Sequence, residues 1–454
     1  MDWDKAFDHY QHAIASKDEH VQIQFTIKLA RFSRYVPEEV LVRAIPLVIE
    51  LLGSPVSDHS PSIHEVSSYC LKCIACEGDG RLAAAIGQSG AIPLLLRLLR
   101  DSGGRSQKVM LKCIRNIMMF EASNRTIVDR NGGLEIIIDL LNSNPDNSSR
   151  QHLLENFSYL SLLREVRRKV YRTGAVSLLV ESARCGSMIS RTRAAQAIGL
   201  LGLIKRARVT IFASGALPVL LELIRDGDDM AKLVAGNALG VISSHVDYIR
   251  SVAHAGAIPL YSELLQGSNP LGKEIAEDVF CILAVADENA LTIIEQLMNI
   301  LRGGDDESKA AAADVLWNLS GYVHLSPILQ NSGVIQLLAS LLTYRNNHVR
   351  EKVSGAIAQL SYHEAVRQIL SDSGAIPLLI DMLEDESDEL KDNAAEALAN
   401  YLGDPLLGDR ISNALGRLSF NNMVERLTRI RSSITQLTPG DLSLEHLYSR
   451  AGLS

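Results

Sequence analysis

A chain of 454 residues, 47% of them apolar, has ample material for a buried core, yet it is longer than one compact core usually spans; it must divide into domains or extend as a repeat array. The formal charge of −8 at pH 7 argues against general nucleic-acid binding, which rests on neutralisation of phosphates by lysine and arginine. Six cysteines over this length make no disulfide framework, so a reducing compartment is expected, cytoplasmic with the nucleus as a second site.

The first stretch, MDWDKAFDHY, has neither a basic nor an apolar block of the kind that opens a secretory signal. Residues 1–34, with AFDHYQHAI and QFTIKLARF, read as a partial first repeat that caps an array. His9 and His12 stand three apart with no third ligand in view, which suits a solvated cap helix better than a metal site. LVRAIPLVIELL is broken by Arg43 and Pro46, and no run of eighteen apolar residues occurs, so a membrane is not an expected partner.

From there the chain repeats itself. SGAIPLL at Ser89 recurs as NGGLEII at Asn131, TGAVSLL at Thr173, SGALPVL at Ser214, AGAIPLY at Ala255, SGVIQLL at Ser332 and SGAIPLL at Ser373, with a period of about 41 to 44 residues except that a degenerate copy, ENALTII at Glu288, arrives early; RAIPLVI at Arg43 reads as the same unit without its glycine. Each unit reads as helix, turn, helix, polar turn, helix. The glycine sits where a short first helix stops and the chain turns, a position that favours positive φ; the proline falls in the first turn of the next helix, where its missing N–H costs least. The third helix carries stripes such as Val109, Cys113, Ile114 and Ile117, or Ala394, Ala395, Leu398 and Leu402, which face neighbouring helices. No alternating β-branched runs occur, and the fold is predicted to be all-α.

Cys70, Cys73 and Cys76 in YCLKCIAC are spaced as metal ligands could be. LKCI recurs at Leu111, however, so Cys73 and Cys113 hold the same register of successive third helices and are read as small packing residues. A four-ligand site would need Cys185 or Cys281, which lie repeats away. GSNPLGKE at Gly267 resembles a phosphate loop up to its lysine, but Glu274 replaces the serine or threonine that would reach magnesium, and no strand precedes it. Serines lack a GxSxG elbow. No catalytic residue, cofactor or metal site is read from the chain.

Asn289, aligned with the turn glycines through ENALTII at Glu288, follows Gly256 by only 33 positions. The first helix of that repeat is expected to be missing, with a local change of curvature near Ala284 to Leu291. Beyond Tyr401 the pattern ends. FNNMVERLTRIRSSITQL, 420–437, can form an amphipathic helix with Met423, Leu427, Ile430 and Ile434 on one side. It is expected to cap the last repeat, with folding back into a groove as the alternative. The segment TPGDLSLEHLYSRAGLS reads as flexible.

The three-helix unit with a GAIP turn, together with ESKAAAADVLWNL at Glu307 and LKDNAAEALANYL at Leu390, resembles the armadillo repeat over roughly residues 5 to 403. The style is most similar to plant armadillo proteins, including those that follow a U-box, although no U-box is found. The resemblance implies a right-handed superhelical solenoid of about nine to ten repeats: an N-terminal cap over 1–34, the array over 35–403, and a capping helix with tail over 404–454. It also implies a concave groove lined by third helices, in which an asparagine holds the backbone of a bound segment. That column here holds Cys76, Asn116, Tyr159, Leu200, Val241, Ile282, Asn318, Gln359 and Asn400. Four residues earlier, where import receptors of the family carry tryptophan, stand Lys72, Lys112, Glu155, Gln196, Asn237, Asp278, Asp314, Gly355 and Glu396. With Trp317 in another register, recognition of nuclear-localisation signals by that mechanism is not expected.

The candidate groove residues are therefore Lys72, Lys112, Asn116, Tyr159, Asn237, Asp278, Asp314, Asn318, Gln359, Glu396 and Asn400. Lysines at one end and carboxylates toward the other would suit an amphipathic partner of matching polarity; the plain alternative is solvated charge, each worth little. A second feature is a basic patch of Arg164, Arg167, Arg168, Lys169, Arg172, Lys205, Arg206 and Arg208 in adjacent first helices, joined by Arg191 and Arg193. It could dock an acidic partner or nucleic acid. The expected function is a non-enzymatic scaffold or adaptor that binds a protein segment in the groove. The alternatives are a recognition or regulatory partner of a ubiquitin ligase and a nucleic-acid-associated protein using the basic patch.

Overall fold

The computed structural model describes residues 2–16, 18–55, 62–143, 149–402, 404, 407 and 423–427. They form two compact units, Met1–Ile242 and Ser243–Ser454. Among the described residues there is no strand, and the chain is an all-α solenoid of repeated helical units.

The first unit begins with α1 (Trp3–Ala15) and α2 (Glu19–Phe32), then α3 (Glu38–Leu52) and α4 (Ile63–Ile74). Four triplets follow: α5 (Arg81–Gln88), α6 (Ala91–Asp101), α7 (Gly104–Phe120); α8 (Ser123–Arg130), α9 (Gly133–Ser143), α10 (Arg150–Leu160); α11 (Arg164–Thr173), α12 (Val176–Arg184), α13 (Met188–Gly202); α14 (Lys205–Ala213), α15 (Ala216–Asp226), α16 (Asp229–Ser243). The second unit holds α17 (Val246–His254), α18 (Ala257–Gln266), α19 (Pro270–Leu283), then α20 (Asp287–Gly303) and α21 (Asp306–Ser320). It continues with α22 (Ser326–Ser332), α23 (Val334–Leu341), α24 (Asn347–Leu360), and α25 (Glu364–Asp372), α26 (Ala375–Met382), α27 (Asp388–Leu402).

The turn between first and second helices is made as the sequence predicts. Gly90 and Gly215 sit at φ 87° and 79°, in the left-handed region that a Cβ disfavours. The chain bends by 73° between Gly78–Gln88 and Ala91–Asp101 and by 82° between α14 and α15. Second helices then bury their apolar stripes, as Ile92, Leu95, Leu96 and Leu99 do in α6. Third helices stack in sequence. In the first unit α2 packs on α4, α4 on α7, α7 on α10 and α10 on α13; in the second α19 packs on α21, α21 on α24 and α24 on α27. Small residues permit the approach: a Cβ on Gly199 would lie 3.0 Å from the Cα of Ala238. No single described helix is long and apolar enough to cross a membrane.

Where a third helix ends and the next first helix begins, last-turn carbonyls lack intrahelical partners. Side chains of the next repeat supply them. Asn124 Nδ2 donates to the carbonyl of Ile117 at 3.1 Å and to that of Ala83, one repeat back, at 2.9 Å. Arginines one or two residues further along do similar work: Arg125 reaches Met118 O, Arg167 reaches Ser161 O and Leu162 O, Arg208 reaches Gly202 O, and Arg367 reaches Ser361 O and Tyr362 O. A cation at a helix C-terminus also meets the favourable end of the helix dipole.

The same bonds correct the reading of the shortened repeat. Asn289 Nδ2 donates to Leu283 O at 3.0 Å and to Ile249 O at 3.4 Å, the arrangement made by Asn124, so Asn289 stands in first-helix register and not at a turn glycine. The first helix is present as the start of α20. What has been lost is the turn: α20 continues unbroken for 17 residues, and no glycine between Gly256 and Gly333 takes positive φ. Without a residue that tolerates the left-handed region, the helix has no cause to break.

The C-terminal helix expected over 420–437 lies outside the described residues except for Met423–Leu427, which are helical. Met423 is buried, and Arg426 pairs with Asp388 at 2.8 Å and Asp392 at 3.5 Å on α27.

Asn124→Ala removes both bonds while leaving two carbonyls in a dry site, and is expected to destabilise the first unit by about 2 kcal/mol. Asn131→Ala, whose exposed amide serves only Ile127 O, should cost less than ~0.5 kcal/mol. Urea unfolding of the two variants side by side checks the difference.

Candidate functional site

The third helices bury one side and leave the other to solvent. On α7 the buried apolar residues are Met110, Leu111, Cys113, Ile114, Ile117 and Met118, whereas Arg105, Lys108, Lys112, Arg115 and Met119 follow one another at three- and four-residue steps on the accessible side. On α4 that side carries Tyr69, Lys72 and Cys73, with Cys76 exposed just beyond the helix end; on α2 it carries Lys28 and Arg31, with Phe32 and Tyr35 exposed at and just beyond the helix end. Of the predicted groove residues, Lys72, Lys112, Asn116, Tyr159 and Asn237 lie on α4, α7, α10 and α16 of the first unit. The remaining six, Asp278, Asp314, Asn318, Gln359, Glu396 and Asn400, lie on α19, α21, α24 and α27 of the second.

Asn116 departs from the role its register implies. It is buried, its Nδ2 donates to Lys72 O at 3.2 Å and Cys76 Sγ at 3.0 Å, and its Oδ1 accepts from Nε and Nη2 of Arg115 at 3.0 and 2.7 Å. An amide with two donors and two lone pairs is then saturated, with nothing left to hold a peptide backbone. Next to it Arg115 and Arg193 converge on Glu155 at 3.2 and 3.5 Å, with His152 at 3.5 Å. Burial pushes the Glu155 carboxyl up, but the His152 bond and the two guanidiniums outweigh it and hold the group below its usual range. Tyr159 is half-buried with Arg125 over its ring, and Asn237 is exposed.

In the second unit the accessible side is acidic. Asp314 on α21 pairs with Lys352 of α24 at 3.1 Å, Asn318 donates to Glu277 of α19, and Tyr362 donates to Glu396 at 2.6 Å. Asn400 donates to Ser361 Oγ at 2.8 Å. Trp317 lies against α24, so close to Gly355 that a Cβ there would come within 2.6 Å of the indole, and Lys352 stands 5.6 Å from the ring centre. Glu277, which the register argument passed over by one position, is the most perturbed carboxylate of the face. Burial, then Asp314 and Asp278, push its pKa up to about 7 against the opposing pull of Lys352. The sequence signal was present in GKEIAEDVF, three carboxylates in five residues on one helix.

The basic patch divides in two. Arg164, Arg168, Arg172, Lys205 and Arg206 are exposed on α11 and α14. Arg208 is buried and Arg167 half-buried, both turned inward as caps, and Lys169 pairs with Asp129 at 2.8 Å. Arg191 pairs with Glu222. The cysteines are all free: Cys70 and Cys113 are wholly buried, with burial raising both thiols, while Cys76 is exposed. Among the described residues no three of histidine, cysteine, aspartate and glutamate are arranged to hold a metal ion.

Residues 294–399 match the family model of HEAT repeats. A solved structure of an engineered protein is similar at a TM-score of 0.68 and 21% identity, over 87% of this chain and 98% of that one. That likeness is one of fold. No curated protein matches the chain.

Glu277 gives the acidic face a pH signature. Below an unfolded-state pKa of about 4.5 both states are protonated; between there and about 7 the unfolded chain ionises while the folded one does not, so stability falls as pH rises. Glu277→Gln should therefore raise the melting temperature at pH 8, by the equivalent of ~1–3 kcal/mol, and leave it unchanged at pH 4. Thermal melts of both proteins across that range read it directly.

Proposed function

We propose that the chain is a non-enzymatic scaffold of armadillo type that recognises a protein segment laid across the solvent-facing sides of its third helices. One observation carries the reading: these sides bear charged and aromatic residues at regular helical spacing, while the packing of the solenoid is done by the opposite sides. A stacked layer of helices presents such residues at the repeat spacing, which suits an extended or helical segment and its register of side chains. The HEAT-repeat match and the solenoid neighbour are compatible with it, since such arrays bury a core shared by successive units and leave one long surface for binding. The three-helix unit with its glycine turn is what favours the armadillo form within that class.

Action in the cytoplasm, with the nucleus as a second site, belongs to the same proposal and is supported by six free cysteines. A ubiquitin-ligase partnership would need a separate catalytic chain, discoverable by co-purification. Binding of nucleic acid through the exposed cations of α11 and α14 is a second reading. It is favoured by those five side chains alone and would show as a steep salt dependence lost when they are neutralised.

The test is site-specific photo-crosslinking of the purified chain in cell extract. Crosslinkers at Lys112 in the first unit and at Asn318 and Asn400 in the second are expected to capture protein, and Lys112→Glu and Asp314→Lys to reduce, each for its own unit, the affinity of what is captured there at least about tenfold, the scale of one to two desolvated charge pairs. Capture only from Arg168 and Arg206, with affinity indifferent to the two reversals, would transfer the function to the outer face.

A further inference from the structure

On α2, α4 and α7 of the first unit, five cations, Lys28, Arg31, Lys72, Lys108 and Lys112, stand accessible and make no ion pair among the described residues. The neighbouring carboxylates that could balance them are spent or peripheral. Glu65 is buried beneath Arg105 at 2.7 Å and accepts from Ser106 at 2.9 Å; Glu155 is shared by Arg115 and Arg193; Glu77 and Glu121 sit beyond the ends of α4 and α7. Three helices packed in sequence therefore carry an excess of positive charge on one side of a chain whose net charge is −8. Like charges held at repeat spacing repel one another, so the arrangement has free energy to gain from a counter-charged partner.

Apolar groups stand on the same elements: Phe32 and Tyr35 at the end of α2, Tyr69 on α4, Met119 and Phe120 on α7 are all exposed. Several rings of this face are already covered by the protein's own cations, Lys28 over Phe25 at 4.9 Å, Lys72 over Tyr69 at 4.5 Å and Arg34 over Tyr35 at 4.6 Å. Rings so occupied are poor platforms for stacking nucleobases, which need an open π-face. Their edges remain available to aliphatic and aromatic side chains.

We propose that the accessible side of α2, α4 and α7 is the docking site for an acidic protein segment whose carboxylates pair with Lys28, Arg31, Lys72, Lys108 and Lys112 and whose apolar side chains fall between them. The site names the partner chemistry of one part of the scaffold and rests on the third-helix reading above. The acidic face of the second unit, with Glu277, Asp278 and Asp314, would repel such a segment and takes no part.

Selection of a displayed random 16-residue peptide library on the full chain tests it, with a parallel selection on Lys72→Glu/Lys108→Glu/Lys112→Glu. These three side chains are half-buried and make no ion pair among the described residues, so the substitutions should leave the circular-dichroism melt in place. Peptides enriched on the wild type are expected to be rich in aspartate and glutamate with interspersed apolar residues, and to bind the triple variant at least tenfold more weakly. Arg168→Glu/Lys205→Glu should bind them unchanged, and a fifteen-residue oligouridylate should compete poorly. Enriched peptides that are neutral or basic, acidic peptides indifferent to the triple variant, or tighter binding of the oligouridylate than of any peptide would overturn the proposal. Basic peptides lost on Asp314→Lys would overturn it while sparing the scaffold reading; enrichment insensitive to every third-helix substitution would remove both.

Discussion

The solenoid depends on satisfying the carbonyls at the C-terminus of each third helix just where the chain turns into the next repeat. Those groups sit at the junction of two repeats, too enclosed for water to serve them freely, and an unpaired carbonyl there costs as much as several apolar contacts gain. Asn124 and Asn289, and the inward arginines at 125, 167, 208 and 367, meet this requirement from the following first helix. In doing so they fix the offset between successive repeats, because the amide of Asn124 also reaches back to the first helix of the repeat before. Stacking is thus specified by hydrogen bonds as well as by the apolar stripes, and neither would hold the spacing alone.

Such a division of labour explains why the two sides of a third helix have such different compositions. Toward the core, alanine, leucine, valine and isoleucine are selected by volume, and Gly199 and Gly355 by closeness of approach. Toward solvent no packing constraint applies, so charge is free to vary, and it varies by unit: cationic with tyrosine and phenylalanine on α2, α4 and α7, anionic with Trp317 on α19 and α21. Ion pairs such as Lys352 with Asp314 and Arg115 with Glu155 tie adjacent third helices without exhausting either field.

Much of the fold was legible because the repeat advertises itself through residues with backbone consequences. A glycine followed by small, apolar, proline at a 41-residue spacing implies one turn geometry, and positive φ at Gly90 and Gly215 follows from it. The reading failed at ENALTII, where alignment by apolar pattern matched a second helix while the chain was still in its first; only the partners of the Asn289 amide reveal the register. Site residues were legible as positions and not as states. Lys72, Lys112 and Asp314 fall on third helices as register implies, but nothing in the sequence tells that Arg115 has occupied Asn116, that Arg208 points inward, or that Glu277 shares its surroundings with two other carboxylates. Two of these states depend on neighbours contributed by other repeats, Glu155 beside Arg115 and Asp314 beside Glu277, about 40 residues away in sequence.

Trp317 lends the molecule a built-in optical gauge. The chain has two tryptophans, and Trp3 lies on the opening helix, in the other unit. An indole resting on the glycine of the adjacent coil and flanked by an ammonium will change emission colour and yield whenever a molecule settles beside it or the two coils shift apart. Replacing Trp3 with phenylalanine would leave a single intrinsic fluorophore, so events on the anionic face could be followed in real time without attaching any dye.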